Sequence, residues 1–200
     1  MSAVVRPHPP HQPITFSQIL SAKECTDLIE DTASYEFKEA AIRVGHDYSQ
    51  LVIDRSYRWV HFLKIPQTSE FSWLYQRLIA YAHQASEVFN VKIEGEFLEP
   101  IRLLRYEIGG HYKEHTDAAK QGAVAGRCIS IVVQLSAPKD YGGGSLIFTK
   151  MGQVAGKDQG SATFFPSMWM HQVEPITRGT RFALIAWVNK SRSSENSALA

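Results

Sequence analysis

Beyond residue 97 the chain consists of short strand-like runs separated by glycine-containing turns. Six such runs lie at 101–107, 127–135, 145–149, 161–165, 171–175 and 180–188. The segments between them include Gly109-Gly110, Gly142-Gly143-Gly144 and the stretch from Gly152 to Gly160. Many short strands joined by glycine turns are typical of an antiparallel sandwich or jelly roll. An earlier run, 58–64, is expected to add a strand at the edge of a sheet.

Two helices are expected before these strands. Ser21 and Glu24 have the spacing of a capping box, and the apolar stripe that follows predicts a short helix over 21–33. Apolar residues recur every three or four positions from Phe71 to Phe89, which predicts a second helix over 69–89. The predicted fold class is therefore mainly β (α+β), with N-terminal helices that support one sheet.

The size and composition of the chain predict one domain. Its 200 residues are 44% hydrophobic and 20% charged, which is enough for one well-buried core and little for two. We expect an extended, proline-rich lead-in over 1–13, a single domain over 14–190 with its barrel core at about 98–190, and a flexible polar tail over 191–200.

The charge balance favours recognition of a partner through a pocket. Lysine and arginine total 21 against 20 acidic residues, so no large electrostatic bias attracts nucleic acid or an anionic membrane surface. The N-terminus lacks the apolar core of a secretory signal, and no run approaches the roughly 20 apolar residues that span a bilayer. Cys25 and Cys128 form no C-x-x-C pair and are expected to be buried thiols, so a cytoplasmic location is predicted.

The residues that point to chemistry are His115, Asp117 and His171. In a strand, residues i and i+2 share a face, so His115 and Asp117 are expected to point inward together while Thr116 points away. His171 begins another strand-like segment that can lie beside the first pair. Two imidazoles and one carboxylate can occupy one side of a ferrous ion and leave the other side open, as in non-heme iron oxygenases.

Arg181 follows His171 by ten residues and begins a very apolar run that ends at Trp187. Strand alternation would place Arg181, Ala183, Ile185 and Trp187 on one face. A guanidinium that points inward from such a strand needs an anionic partner, because a buried unpaired charge is very costly. A dicarboxylic cosubstrate would meet that need, with one carboxylate on the guanidinium and its keto-acid end on the iron.

The stretch from Arg105 to Asp117, with its tyrosine, paired glycines, second tyrosine and H-x-D, resembles a signature of the prolyl-4-hydroxylase-like branch of the 2-oxoglutarate and Fe(II)-dependent dioxygenases. Further matches follow in order at 127–130, 141–146 and 165–166, and then at His171 and Arg181. The resemblance covers about 98–190 closely and the N-terminal helices loosely. It implies a distorted double-stranded β-helix, that is, a cupin-like jelly roll.

The resemblance also implies roles for individual residues. It makes His115, Asp117 and His171 the iron ligands, and Arg181 the residue that holds the tail of oxoglutarate. Tyr106 corresponds to a tyrosine whose phenol approaches the cosubstrate. Arg127 corresponds to a residue that supports the aspartate ligand. Gln134 could also reach the cosubstrate, although a hydrogen-bonded amide at the end of a sheet is the favoured interpretation.

The activity implied is that of an oxidoreductase that hydroxylates an unactivated C–H bond of an amino-acid-like molecule or a protein residue such as proline. Fe(II), 2-oxoglutarate and O2 would be required, with ascorbate as a reductant, and succinate and CO2 would be released. In related halogenases a small residue replaces the carboxylate ligand, so the presence of Asp117 indicates hydroxylation. Many prolyl hydroxylases have lysine where this chain has Arg181, which leaves the proline substrate open.

Two other functions remain open from the residues alone. Zinc also accepts two histidines and a carboxylate with an open position, and it would activate water for hydrolysis. A cupin-like protein could also bind a ligand in the same barrel without catalysis. The segments 43–57 and 118–126 are expected to determine which substrate is bound.

Overall fold

The computed structural model describes residues 11–45, 50–97, 99–119 and 124–191. The helices in these ranges are α1 (Ala22–Asp31) and α2 (Ser72–Phe89), with a 3-10 turn at Pro138–Asp140. The strands are β1 (Ile14–Phe16), β2 (Lys38–Glu39), β3 (Ile42–Val44), β4 (Gln50–Val52), β5 (Arg58–Trp59), β6 (His61–Lys64), β7 (Arg102–Tyr106), β8 (His111–His115), β9 (Arg127–Gln134), β10 (Tyr141–Gly143), β11 (Leu146–Phe148), β12 (Gln153–Val154), β13 (Ala162–Pro166), β14 (His171–Val173), β15 (Ile176–Gly179) and β16 (Arg181–Asn189).

Two antiparallel sheets form the body of the fold. The larger sheet has the strand order β1-β13-β9-β16-β7-β6-β2, and the smaller sheet has the order β12-β11-β14-β8-β5. Leu104 and Val132 of the larger sheet share one buried cluster with Leu146, Phe148 and Val173 of the smaller sheet. The two sheets therefore face each other across a common apolar layer, and the prediction of a mainly β jelly roll is confirmed.

The helices cover the other face of the larger sheet. Leu74 and Leu78 of α2 belong to the same buried cluster as Ile131 of β9 and Leu184 of β16. Each fully buried leucine contributes about 1.5–3 kcal/mol relative to an exposed one, so this layer stabilises the sheet. The N-terminal helices thus support the sheet, as the sequence predicts.

Helix α1 begins where the capping box predicts. The Ser21 hydroxyl accepts a hydrogen bond from the Glu24 N–H at 3.2 Å, and the Glu24 carboxylate accepts one from the Ser21 N–H at 2.8 Å. The helix ends at Asp31, two residues before the predicted end. Helix α2 begins at Ser72, three residues later than the apolar spacing predicts, and ends at Phe89 as predicted.

The strand predicted over 58–64 is two strands in different sheets. Arg58–Trp59 pairs with β8 in the smaller sheet, whereas His61–Lys64 pairs with β7 in the larger sheet. The chain crosses between the sheets at Val60, which is buried and whose carbonyl accepts a hydrogen bond from Ala40 N–H. The sequence pattern over 58–64 therefore predicted one strand, although the chain passes from the smaller sheet to the larger sheet within it.

The alternation predicted for β16 is confirmed. Ala183, Ile185 and Trp187 lie in the cluster between the two sheets, whereas Leu184 and Ala186 lie in the cluster under the helices. Arg181 consequently faces the space between the sheets.

Parts of four predicted segments lie outside the described residues. These are residues 1–10 of the lead-in, the tail from 192 onward, and portions of both predicted specificity segments, at 46–49 and 120–123. Among the residues that are described, neither helix has the length and apolar composition needed to cross a membrane.

Candidate metal centre and cosubstrate site

The side chains of His115, Asp117 and His171 converge at the rim of the smaller sheet. His115 is the last residue of β8 and His171 is the first residue of β14, and the two are paired directly across the antiparallel ladder. One potential ligand atom from each of the three residues lies within 4.8 Å of the other two. The sequence-predicted triad is therefore assembled in space.

Asp117 does not lie in a strand, which corrects one step of the sequence argument. Strand β8 ends at His115, and the N–H groups of Asp117 and Ala118 both donate to the carbonyl of Ser167, at 2.9 and 3.1 Å. These bonds turn the chain away from the ladder just after His115. The Asp117 carboxylate nevertheless lies 3.7 Å from His115 Nε2, because the turn carries it toward the same point.

Each imidazole is oriented by a backbone carbonyl two residues earlier in the chain. His115 Nδ1 lies 2.7 Å from the carbonyl of Lys113, and His171 Nδ1 lies 2.8 Å from the carbonyl of Trp169. A carbonyl only accepts hydrogen bonds, so each Nδ1 carries the proton and each Nε2 presents a lone pair. These Nε2 atoms face the Asp117 carboxylate at 3.7 and 3.6 Å. Fixing the tautomer through the other ring nitrogen is how metal-binding histidines are prepared.

Burial sets the protonation of the triad. Burial lowers the pKa of the His115 imidazole below its ordinary value, against an opposing effect of Asp117. Burial alone would raise the pKa of the Asp117 carboxyl, but the neighbouring imidazoles and the Ser130 hydroxyl bring the pKa well below its usual range. The site therefore holds a carboxylate beside a neutral His115 ring at neutral pH, which is the state that a divalent cation requires.

Ser130 is a functional residue that the sequence analysis did not single out. Its hydroxyl donates to Asp117 Oδ2 at 2.7 Å and also lies within hydrogen-bond distance of the Ser167 hydroxyl, at 2.9 Å. Ser130 is fully buried on β9. A hydroxyl inside the apolar run from Ile129 to Val133 was the available signal, since such a group needs a partner.

Arg127 contacts the backbone of the aspartate. Its Nη1 donates to the backbone carbonyl of Asp117 at 3.1 Å. Its Nε donates to Glu99 at 2.6 Å, and its guanidinium lies 3.7 Å from the ring centre of Trp187. Arg127 therefore holds the turn that carries the aspartate, whereas Ser130 holds the carboxylate itself.

The guanidinium of Arg181 is buried in the same cavity as the triad. Only 1% of Arg181 is exposed, and within the described ranges it forms no ion pair. Its Nε and Nη2 donate to Gln134 Oε1 at 3.2 and 3.0 Å. Tyr106, paired with Arg181 across β7 and β16, places its ring centre 5.3 Å from the guanidinium carbon.

Gly144 leaves room for this arginine. It has a φ of +63°, and a Cβ there would lie 2.5 Å from Ile176 Cδ1 and 3.1 Å from Arg181 Cδ. The glycine run between β10 and β11 thus has a packing role beside the arginine as well as a turn role.

The cavity between the sheets brings together all five predicted site residues. Its lining includes His115, Asp117, His171, Arg181 and Tyr106, with apolar walls from several strands of both sheets. His111 lies outside this lining and bonds the carbonyl of Gly109 through Nδ1. Another hollow, beside the C-terminal end of α2, contains none of the five.

The donor set fits a first-row divalent cation. Two neutral imidazole nitrogens and one carboxylate on one side of an ion are the facial arrangement of non-heme iron oxygenases, with the remaining positions open. The buried guanidinium in the same cavity forms no ion pair with any described residue, so an anionic ligand would balance its charge. The chemistry of the residues that line the cavity therefore suits a divalent cation together with an anionic ligand.

Comparison with known proteins also supports an iron and oxoglutarate site. The model of the 2OG-Fe(II) oxygenase superfamily matches residues 101–189, which span the strands that carry the triad and Arg181. A PKHD-type hydroxylase of Crocosphaera subtropica is 29% identical over 180 residues, covering 88% of this chain and 78% of the relative.

Solved structures share the fold at low sequence identity. A Pseudomonas putida prolyl-4-hydroxylase superposes with a TM-score of 0.67 at 20% identity, over 90% of this chain and 94% of the other. A Trichoplax adhaerens prolyl hydroxylase, in complex with a hypoxia inducible factor oxygen degradation domain peptide fragment, superposes with a TM-score of 0.65 at 16% identity, over 94% and 87% of the two chains. The double-stranded β-helix prediction is thereby confirmed. Residues 101–189 therefore match the 2OG-Fe(II) oxygenase superfamily, and the chain is similar in sequence to PKHD-type hydroxylases and in fold to prolyl hydroxylases.

Proposed function

We propose that this protein binds Fe(II) through His115, Asp117 and His171, binds 2-oxoglutarate through Arg181, and hydroxylates a C–H bond of its substrate. One observation carries the proposal. Two imidazole Nε2 lone pairs and a carboxylate converge in a cavity that also contains a buried guanidinium without an ion-pair partner in the described chain. The match of residues 101–189 to the 2OG-Fe(II) oxygenase superfamily supports the same cofactor, the same cosubstrate and O2.

Bound iron would supply the oxidising chemistry that couples conversion of 2-oxoglutarate to succinate and CO2 with insertion of an oxygen atom. The protein would supply orientation and exclusion of water. Arg181 offers a planar fork that matches a carboxylate in two parallel hydrogen bonds. Tyr106 is 2% exposed and lies beside that fork, which supports the proposal that its phenol approaches the bound cosubstrate.

The same geometry disfavours hydrolysis by zinc. A hydrolase of that type needs a carboxylate base near the metal, and Glu114 and Glu174 are the acidic neighbours of the ligands in sequence. Neither of them lines the cavity. Among the described residues that do line it, Asp117 is the one that carries a carboxylate. A zinc hydrolase would not require the buried Arg181. These observations favour an oxygenase over the zinc alternative.

We propose an amino-acid-like molecule or a protein residue, such as proline, as the substrate. The relatives and neighbours support this class, since they include PKHD-type hydroxylases, prolyl hydroxylases and one complex with a peptide. The retained Asp117 carboxylate supports hydroxylation as the outcome, because no small residue leaves space for a halide at that position.

Three further parts of the proposal concern the protein as a whole. We propose that residues 14–190 act as one catalytic domain, because β1 at Ile14–Phe16 already pairs with β13 of the larger sheet. Ascorbate is proposed as a reductant that keeps iron ferrous between turnovers. A cytoplasmic location is proposed because Cys25 and Cys128 are both free thiols.

The decisive experiment measures oxoglutarate turnover together with substrate oxidation. The protein, loaded with Fe(II) and supplied with O2, is incubated with free amino acids and proline-containing peptides, and mass spectrometry detects succinate and products heavier by one oxygen atom. We expect both products from the wild type and neither from His171→Ala. Binding of oxoglutarate without succinate formation under any of these conditions would instead identify a binding protein.

A further inference from the structure

The orientation of Arg181 is fixed by a neutral side chain, Gln134. Both residues are buried, at 1% and 3% exposure. The single oxygen of the Gln134 amide accepts from Arg181 Nε at 3.2 Å and from Arg181 Nη2 at 3.0 Å. These two nitrogens form the lateral edge of the guanidinium. The edge formed by Nη1 and Nη2 is therefore left for another acceptor.

Gln134 is itself held firmly. It ends β9, the strand that lies between β13 and β16 in the larger sheet. Its N–H donates to the carbonyl of Ser161 at 2.9 Å, and its carbonyl accepts from Gly160 N–H at 2.8 Å. The side chain leaves the sheet on the face of Val132, which lines the cavity. A fixed backbone on both sides makes Gln134 a rigid support for the arginine.

We infer that Gln134 is the positioning residue for the cosubstrate: it presents the Nη1–Nη2 edge of Arg181 to the far carboxylate of oxoglutarate and leaves the positive charge intact. An amide oxygen satisfies two of the five guanidinium N–H groups without neutralising the charge. A carboxylate at the same place would make the same bonds but would cancel the charge. A carboxylate ligand would then gain much less by entering the cavity.

This inference rests on the proposed function and makes a separate prediction. Removing the amide with Gln134→Leu frees the guanidinium to rotate, so the dissociation constant of oxoglutarate should rise about 10- to 100-fold, as is usual when a supporting hydrogen bond is removed. Gln134→Glu keeps the shape and both hydrogen bonds but supplies the cancelling charge. It should weaken oxoglutarate binding at least as much, without loss of folding stability.

The test compares two ligands on protein loaded with Zn(II), which binds but does not turn over. Oxoglutarate reaches both the metal and Arg181, whereas pyruvate has the same keto-acid end and no second carboxylate. Isothermal titration gives a dissociation constant for each ligand, and thermal melting reports folding. We expect both Gln134 variants to weaken oxoglutarate binding and to leave the pyruvate constant within about twofold of the wild type, because only oxoglutarate uses the guanidinium.

Two controls separate positioning from a structural role. Gln159→Leu removes a nearby amide that donates to the carbonyl of Leu135 at 2.8 Å, and it should not change the preference for oxoglutarate over pyruvate. In the background Arg181→Met, Gln134→Leu should add no further loss of oxoglutarate binding, because a residue that acts through the arginine has nothing left to position.

The outcomes are distinct. Equal weakening of both ligands by Gln134→Leu would show a structural role and overturn the inference, as would unchanged oxoglutarate binding in Gln134→Glu. If Gln134→Leu fails to fold, Gln134→Glu alone decides. If the wild-type protein itself shows no preference for oxoglutarate over pyruvate, the proposed function fails as well. A wild-type preference that survives both Gln134 variants refutes only the positioning role.

Discussion

Replacing Ser130 with alanine should weaken metal binding without removing any metal ligand. The Ser130 hydroxyl is fully buried and donates to Asp117 Oδ2 at 2.7 Å. A hydrogen bond to a charged group contributes about 1.5–3 kcal/mol. Since about 1.4 kcal/mol corresponds to a tenfold change in a binding constant, Ser130→Ala should lower the affinity for Fe(II) about 10- to 100-fold.

The affinity is measured anaerobically by titrating Fe(II) against a competing chelator. Ser161→Ala is the matched control, because Ser161 is equally buried but donates to the carbonyl of Asp158, away from the triad. The control should bind Fe(II) like the wild type. Folded Ser130→Ala protein with wild-type Fe(II) affinity would refute the argument that this hydroxyl orients the carboxylate for the metal.

Three further predictions concern the ligands, the cosubstrate and pH. Asp117→Gly should abolish hydroxylation, measured by mass spectrometry, and retained activity would remove Asp117 from the ligand set. Arg181→Ala should raise the KM for oxoglutarate at least about 100-fold through the loss of two charge-assisted hydrogen bonds, while chelator competition shows little change in Fe(II) affinity; an unchanged KM would contradict its role. Burial lowers the pKa of His115 from its ordinary 6.5, so that imidazole is neutral at pH 7, and protons compete with the metal only as the pH falls through the lowered pKa. Fe(II) affinity should therefore be level above the ordinary value of 6.5 and decline only at lower pH, whereas an affinity that stays level over the whole acid range in which the protein remains folded would count against imidazole ligation.

The sequence was most informative where a regular period continued over many residues. The nine-residue strand β16 separates its two faces as its alternation predicts, and this places Arg181 in the cavity. Helix α1 begins at its capping box for a similarly local reason. The triad could be recognised because metal chemistry demands particular residue types, and these occur in a fixed order with an arginine after the last ligand.

Other features depend on contacts that no local pattern contains. Strands of two or three residues, such as β2 and β12, are too short to show a period of two. Strand β8 ends where the carbonyl of Ser167 accepts a hydrogen bond from the N–H of Asp117, a residue fifty positions earlier in the sequence. The roles of Ser130 and Gln134 depend on which side chains lie opposite them across the sheet, and a sequence does not state that register.

A crystal structure of the protein soaked with Fe(II) and 2-oxoglutarate in the absence of oxygen would test the proposed iron and oxoglutarate site most directly. We expect one iron ion bound by His115 Nε2, His171 Nε2 and a carboxylate oxygen of Asp117, with the far carboxylate of oxoglutarate hydrogen-bonded to Arg181. Iron bound elsewhere, or oxoglutarate bound without contact to Arg181, would show that the proposed site is wrong.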